Sequence, residues 1–340
     1  MIFSDIGGIS ASARFRQVAE RQNNGADQVD YTRRTLMKKM ISLLLAMVIA
    51  FAFVSACKDK ETSGEAGKSD DSPKVNVSKE SPDSYFVWVG DDETMIFGLT
   101  DEGLEQKSII IPAKCTSIVP SIFKDADEVE TIAFSTDTFS LAELQFYGMD
   151  ALKTVVLPGK LTTIPEACFS ASAIEEIVIP SSVTTIGNDA FRICENLESI
   201  DLSHLSITAV AKGTFMSCKS LESVKLPDTV KVIEENAFHD AITLTDIIFP
   251  KGLEEIHKNA FRKCSSLTSV TLPESVVSLG EYAFGYCDAV SEIYLPESLI
   301  EISRDAFYKA SQSVQVTVYV KEGSYADTAS DSYFNITMTK

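Results

Sequence analysis

The sequence predicts a repeat solenoid of α/β type, built mostly of short parallel β-strands with turns and short helical segments, stacked coil on coil. Two observations carry this expectation. Phenylalanine returns in one register at Phe123, Phe146, Phe169, Phe191, Phe215, Phe238, Phe261, Phe284 and Phe307, with steps of 22 to 24 residues. A second register runs through Pro112, Ser135, Pro158, Pro180, Ser203, Pro227, Pro250, Pro273 and Pro296 with the same steps, two copies having exchanged proline for serine. Self-similarity at a fixed period of this size is the mark of a repeat architecture. A single unit cannot bury its own apolar face, whereas stacked units share one continuous core.

Three segments precede the repeats. Residues 1–36 have no apolar periodicity and are unassigned: either an over-called start ahead of Met37, or a leader beginning at Met1 in which Thr32 to Lys38 (TRRTLMK) forms a twin-arginine export motif. Residues 37–57 read as an export signal, with two lysines after Met37, a fourteen-residue apolar stretch from Ile41 to Val54, then Ser55-Ala56-Cys57. The apolar run falls short of the ~20 residues a membrane span needs. The ending VSAC resembles a bacterial lipobox, which implies lipidation of Cys57 and an extracytoplasmic, membrane-anchored protein. An uncleaved anchor, or an ordinary signal with Cys57 incidental, are the alternatives. Residues 58–84 are polar and charged with two prolines, too poor in apolar surface to offset the entropy of ordering, and read as a tether.

Charge narrows the function classes. The chain carries a formal net charge of −19. Its first 56 residues hold seven Lys/Arg and four Asp/Glu, which leaves 23 basic against 45 acidic residues in the remainder. Nucleic acid is bound by clustered Lys and Arg, so this balance tells against it. Self-repulsion favours a soluble monomer.

Residues 85–111 form a lead-in, 112–315 about nine repeats, and 316–340 a C-terminal cap. Each repeat approximates L-x-x-I-x-L-P-x-x-V-x-x-I-x-x-x-A-F-x-x-C. In Leu221 to Leu226, Leu221, Val224 and Leu226 point one way and Lys225 the other, as in a strand. Proline then ends the strand because it cannot donate to a ladder. Val230 and Ile233 begin the return leg, and Ala237-Phe238 closes the coil.

These units resemble the BspA-like (Treponema-type) leucine-rich repeats, whose pattern stands out in IVIPSSVTTIGNDAFRIC from Ile177 to Cys194. Phe97 to Pro112 (FGLTDEGLEQKSIIIP) resembles the family's lead-in, and Val316 to Asp327 (VTVYVKEGSYAD) its closing strand and cap. The resemblance implies a curved, right-handed leucine-rich repeat solenoid on an exported or surface-bound bacterial protein that binds other molecules without catalysis. The copy from Ser135 to Pro158 departs from the pattern, keeping Phe146 but placing Met149 where a small residue is expected.

Three residues after each phenylalanine stand Ala126, Met149, Ser172, Cys194, Cys218, Ala241, Cys264, Cys287 and Ala310. Cysteine shares the slot with Ala and Ser, which fits a small buried side chain. The other reading pairs Cys194 with Cys218 and Cys264 with Cys287 as disulfides between coils. The ~4.8 Å spacing of neighbouring strands falls within the Cα separation a disulfide needs, about 4.4–6.8 Å. Cys115 and Cys168 fall outside this ladder and receive no role.

No constellation for catalysis emerges. His204, His239 and His257 lie in three different copies, are not spaced as metal ligands, and read as surface-loop residues. No phosphate-binding loop, nucleophile elbow or calcium loop occurs. Glu175-Glu176 and Glu254-Glu255 occupy different repeat slots and read as surface charge. Neither enzyme activity, cofactor nor metal is expected.

What remains is a surface. Stacked strands align equivalent residues into rows that make broad binding faces. The outward, concave row reads Ile110, Ala133, Val156, Val178, Asp201, Lys225, Ile248, Thr271 and Tyr294. The positions before it, from Ser108 to Glu292, are polar, so Ile110 to Val178 forms an apolar stripe rimmed by polar groups. Two readings stand: an interaction site, or β-branched residues kept for strand propensity. The expected partner is a protein of a host, matrix or neighbouring cell; the alternative is a glycan- or cell-envelope-binding structural module.

Overall fold

The structure, a computed structural model, describes residues 79–89, 92–245, 247–310, 316–328 and 337–339. The export signal, Cys57 and the tether before residue 79 lie outside the described residues. The repeats form a parallel β-solenoid of about 10 turns with few helices. Short strands and turns make up the coils, as the sequence implies. Helical backbone is confined, among the described residues, to a 3-10 turn at Asp83–Tyr85, a helix at Asp101–Leu104, and 325–328.

Most coils begin with a short strand in a first parallel sheet. In the strand Ser223–Lys225 the alternation is as the sequence implies: Val224 is buried, while Ser223 and Lys225 face out. Neighbouring strands pair in register one repeat apart, as in Asp201 with Lys225 and Thr271 with Tyr294. Among the described residues the sheet is not continuous. It runs from Ser108–Ile111 through Glu176–Ile177, then Ser199–Asp201 with Ser223–Lys225, and resumes from Ser269–Thr271 to Thr337–Thr339. An antiparallel hairpin, Phe86–Val89 with Met95–Leu99, precedes the first coil. The helix behind it starts at Thr100, whose hydroxyl accepts from Gly103 N at 3.2 Å and donates to Ser84 O at 2.7 Å. A Cβ on Gly103 would lie 2.2 Å from Tyr85 O, so only glycine fits there.

After the proline the chain makes a second ladder. The apolar residues of the return leg sit in two-residue strands, Val232–Ile233 among them, and five such strands form a second parallel sheet from Ala209–Val210 to Glu301–Ile302. A third ladder runs along the phenylalanine leg. Phe238 N donates to Ala260 O, Asn236 N to Lys258 O and Asp240 N to Arg262 O, at 2.7 to 3.1 Å. Residues two before and two after the phenylalanine take positive φ, as at Asn236 (59°) and Asp240 (64°), or Gly213 (63°) and Ser217 (59°). That alternation turns every second N–H toward the next coil, so a leg of turns still satisfies its backbone donors between coils. Glycine, Asn and Asp tolerate positive φ best, but Ile193, Tyr282 and Lys263 also adopt it because the ladder holds them there.

The core is the phenylalanine spine. All nine rings are buried. Successive rings stack with centroids 5.0 to 6.0 Å apart and planes 3° to 20° from parallel. Offset stacking of this kind adds to the gain from burying area. The departing copy keeps the spine: Phe146 stacks at 6.0 Å on Phe123 and 5.3 Å on Phe169. Met149 fills the small-residue slot while buried, and Phe134 and Phe139 pack 4.8 Å apart beside it. An unbranched thioether adapts to such a gap where a branched side chain would not.

The six cysteines among the described residues are free and buried. No inter-coil disulfide links them in this structure, and the four ladder thiols instead contact backbone carbonyls. Cys194 Sγ donates to Phe169 O at 3.1 Å, Cys218 to Phe191 O at 3.0 Å, Cys264 to Phe238 O at 3.2 Å and Cys287 to Phe261 O at 3.1 Å. Each cysteine thus satisfies the carbonyl of the preceding coil's phenylalanine. Cys168 and Cys115 also acquire roles. Cys168 fills the slot just before Phe169 that Ala237 and Ala260 fill elsewhere, and Cys115 fills the slot three after proline held by Val183 and Val230.

Candidate interaction surface

Outside the core, the feature that differs from coil to coil is the outward row of the first sheet. Its N-terminal part is less open than the sequence suggests. Ala133 is fully buried between Ile110 and Val156, its partners in register, and those two are half-buried. Ser81 closes this edge, its N–H donating to Ile110 O at 3.2 Å and its hydroxyl accepting from Ile110 N at 2.9 Å. The apolar stripe is therefore open only at Val178.

From Val178 onward the row faces solvent. Asp201 and Lys225, adjacent in register, form an ion pair at 2.9 Å. Burial would raise the Asp201 carboxyl, but hydrogen bonds from Ser203 and Lys225 outweigh it and hold its pKa at about 2. Lys225 is thus already partnered. Ile248 is 82% exposed, the most exposed of the large apolar side chains described, and it stands where the first sheet is interrupted. Its neighbours Ile247 and Phe249 are buried, Phe249 meeting Phe261 edge-on at 5.6 Å. Thr271 follows, and then Tyr294, 37% exposed. Tyr294 stacks on Tyr319 with centroids 4.3 Å apart and planes 5° from parallel.

Tyr319 extends the row by one aromatic that sequence reasoning left inside the closing strand. The signal was present: Tyr319 stands at the mid-strand position of VTVYV, opposite Tyr294 in register. The row therefore passes from a charged pair through an isolated aliphatic side chain to an aromatic stack. Neighbouring coils are also tied by exposed ion pairs, such as Lys107 to Glu130 at 3.0 Å, Glu130 to Lys153 at 3.2 Å, and Lys231 to Glu254. Exposed pairs of this kind contribute about 0–1 kcal/mol each, so they set register between coils more than stability.

The histidines take three environments. His204 Nε2 lies 2.7 Å from Ile179 O, and His257 Nε2 lies 2.9 Å from Glu255. His239 is no surface-loop residue: it is half-buried in the row that follows the phenylalanines, with both ring nitrogens buried and unpartnered. Burial, reinforced by the Arg262 charge, pushes its pKa down. A shallow depression of about 320 Å³ beside the second sheet is lined by Glu235, Ile256, His257, Lys258, Ser278 and Gly280. The buried thiols are poor nucleophiles, since burial pushes Cys194 and Cys287 up to about 12. Among the described residues no cluster of His, Cys, Asp and Glu could hold a metal ion, and no helix is long and apolar enough to cross a membrane.

Comparison with known proteins agrees with this architecture. The family described as BspA type leucine rich repeat region (6 copies) matches residues 102–221 and 208–324, more than half of the chain. A leucine-rich repeat protein from Bacteroides ovatus ATCC 8483 has a similar structure, with 27% identity and a TM-score of 0.61 over 69% of this chain and 61% of that one. A leucine-rich repeat protein from Eubacterium ventriosum ATCC 27560 is 22% identical over 54% of this chain and 59% of that one, with a TM-score of 0.45. The chain thus spans about three fifths of both proteins. A leucine rich cell surface protein from Faecalibacterium prausnitzii A2-165 is 19% identical over 76% of this chain and 97% of that one, with a TM-score of 0.42. No curated protein matches.

Proposed function

The chain belongs to the BspA-type leucine-rich repeat family, and from that premise we propose that it is a non-catalytic, monomeric binding protein that engages a protein of a host, matrix or neighbouring cell through the outward row of its first sheet. The observation that carries this reading is Ile248. An aliphatic side chain 82% exposed, at an interruption of the sheet and between a charged pair and an aromatic stack, costs solvation and contributes no packing. Its neighbours supply what an interface adds around an apolar anchor: Asp201 and Lys225 for orientation, Tyr294 and Tyr319 for rigid contact area.

Full-length protein passed over immobilised purified matrix proteins and over a glycan array tests the reading. Binding to a protein is expected, and Ile248→Asp should weaken it by about tenfold or more, the loss typical of a central anchor, with no change in melting temperature. Glycan binding that is lost in Tyr294→Ala, with no protein bound, would overturn the reading in favour of a glycan- or envelope-binding module.

The reading also places the protein outside the cytoplasm, held to the bacterial membrane through a lipid on Cys57 with residues 58–84 as spacer. The motifs of residues 37–57 support this. Cys57→Ser is expected to move the protein into the soluble fraction after cell lysis. Persistent membrane retention would instead indicate an uncleaved apolar anchor.

A further inference from the structure

A second cluster lies on the opposite leg of the C-terminal coils, away from the first sheet. Gly285 follows Phe284 in the row where other coils carry Arg192, Met216, His239, Arg262 and Tyr308. Tyr282 and Tyr286 flank this glycine on its own coil. Over it, Arg262 reaches from the preceding coil and Tyr308 from the following one. The Arg262 guanidinium lies 5.6 Å from the Tyr282 ring centre and 5.2 Å from that of Tyr286. Tyr308 meets both rings edge-on, at 5.6 Å in each case. The Lys309 ammonium lies 5.8 Å from Tyr286 and 5.5 Å from Tyr308.

Three features separate this cluster from packing alone. First, its polar groups are unspent. Among the described residues, no hydrogen bond engages the three phenols, and no carboxylate pairs with Arg262 or Lys309. By contrast Lys258, two coils away from Tyr308, is tied to Glu281 at 2.5 Å. Second, Arg262 Nε is buried without a partner, so among the described residues the guanidinium is held by the two tyrosine rings rather than by an acceptor. Third, Tyr308 remains 40% exposed although it is packed against two other rings. The carboxylates that face the cluster are Asp305 and Glu281, both acting on Tyr282. Glu281 is neutralised by Lys258, which leaves Asp305 as the acceptor at the rim.

We infer that this platform binds an acidic saccharide. A ligand that satisfies two cations and three phenols must be rich in acceptors and carry negative charge. A ligand that also uses the open face of Tyr308 must present an apolar C–H surface. A pyranose bearing a carboxylate or a sulfate has both, and its free hydroxyls can donate to Asp305. On a chain with net charge −19, an anion is excluded from most of the surface, so this patch selects for it by contrast with its surroundings. The site does not depend on the sheet row.

Calorimetric titration of the full-length protein with three probes tests the inference: a hyaluronan tetrasaccharide, a chondroitin sulfate tetrasaccharide and neutral cellotetraose. At least one acidic probe is expected to bind, and whether hyaluronan suffices distinguishes carboxylate from sulfate as the anchoring group. Arg262→Gln should weaken that binding by about tenfold or more, as expected for a lost charge-assisted hydrogen bond. Tyr308→Ala should do likewise, and Ile248→Asp should leave it unchanged. Tyr308→Phe, which keeps the packing and removes one phenol, provides the comparison if Tyr308→Ala lowers the melting temperature. The inference is overturned by absence of binding up to about 10 mM, by equal affinity for cellotetraose, or by acidic binding that survives Arg262→Gln. It is also overturned if poly-glutamate binds as tightly and is lost in the same variants, which would mark the patch as a protein site.

Discussion

Phe261→Ala should destabilise the solenoid by about 3–5 kcal/mol, the cost of truncating a large, fully buried aromatic side chain. The ring has no exposed surface, stacks at 5.0 Å on Phe238 and 5.1 Å on Phe284, and receives the edge of Phe249 at 5.6 Å. Alanine removes the contacts on all three sides. The three inter-coil ladders limit how far the backbone can close the gap. In a solenoid each coil touches only its neighbours, so stability is a sum of coil and interface terms. A central lesion therefore weakens two interfaces at once. The expected outcome is a lower denaturation midpoint together with loss of a single cooperative transition, monitored by circular dichroism in urea. A melting curve for Phe261→Ala identical to wild type would remove the spine as the organising element.

The second large effect concerns the thiols. Burial pushes Cys194 and Cys287 from a reference of 9.0 to about 12. A three-unit rise leaves about a thousandfold less thiolate at neutral pH, and thiolate is the reactive species. Native protein titrated with a thiol reagent is therefore expected to react at Cys194 and Cys287 about a thousandfold more slowly than the unfolded chain, or more slowly still because access is blocked, and Cys218 and Cys264, whose thiols burial also pushes up, should likewise be slow. In denaturant without reductant, all six described cysteines should react. A shortfall of two or four thiols there would mean that disulfides between coils had formed after all. Rapid labelling of the native protein would show that the phenylalanine leg opens readily.

The same two features show how far sequence carries. The period, the spine and the inward alternation were legible because burial leaves no choice of residue: nine phenylalanines hold one register, and Val224 and Lys225 sort to opposite faces by the strand's two-residue period. The small-residue slot was legible for the same reason, and even Cys115 and Cys168 could have been placed by counting from Pro112 and Phe169. The third ladder was less visible. Its signal lay in Gly148, Asp189, Gly213, Asn236, Asp240 and Asn259, residues that tolerate positive φ, but Ile193 and Tyr282 share those positions and blur it.

The surface divides differently. The sequence by itself determined the coil, its core and the family, because periodic burial is written into residue type. Only the tertiary structure decided which outward residues are free. Ala133 lost its exposure between its flanking strands, Lys225 was claimed by Asp201, and Ile248 kept its exposure. Tyr282 and Tyr286 meet Tyr308 and Arg262 across three coils, around Gly285, where a Cβ would lie 3.1 Å from the Tyr282 side chain. Exposure and convergence depend on neighbours about 23 residues away, on the adjoining coils, and a pattern within one coil holds no record of them.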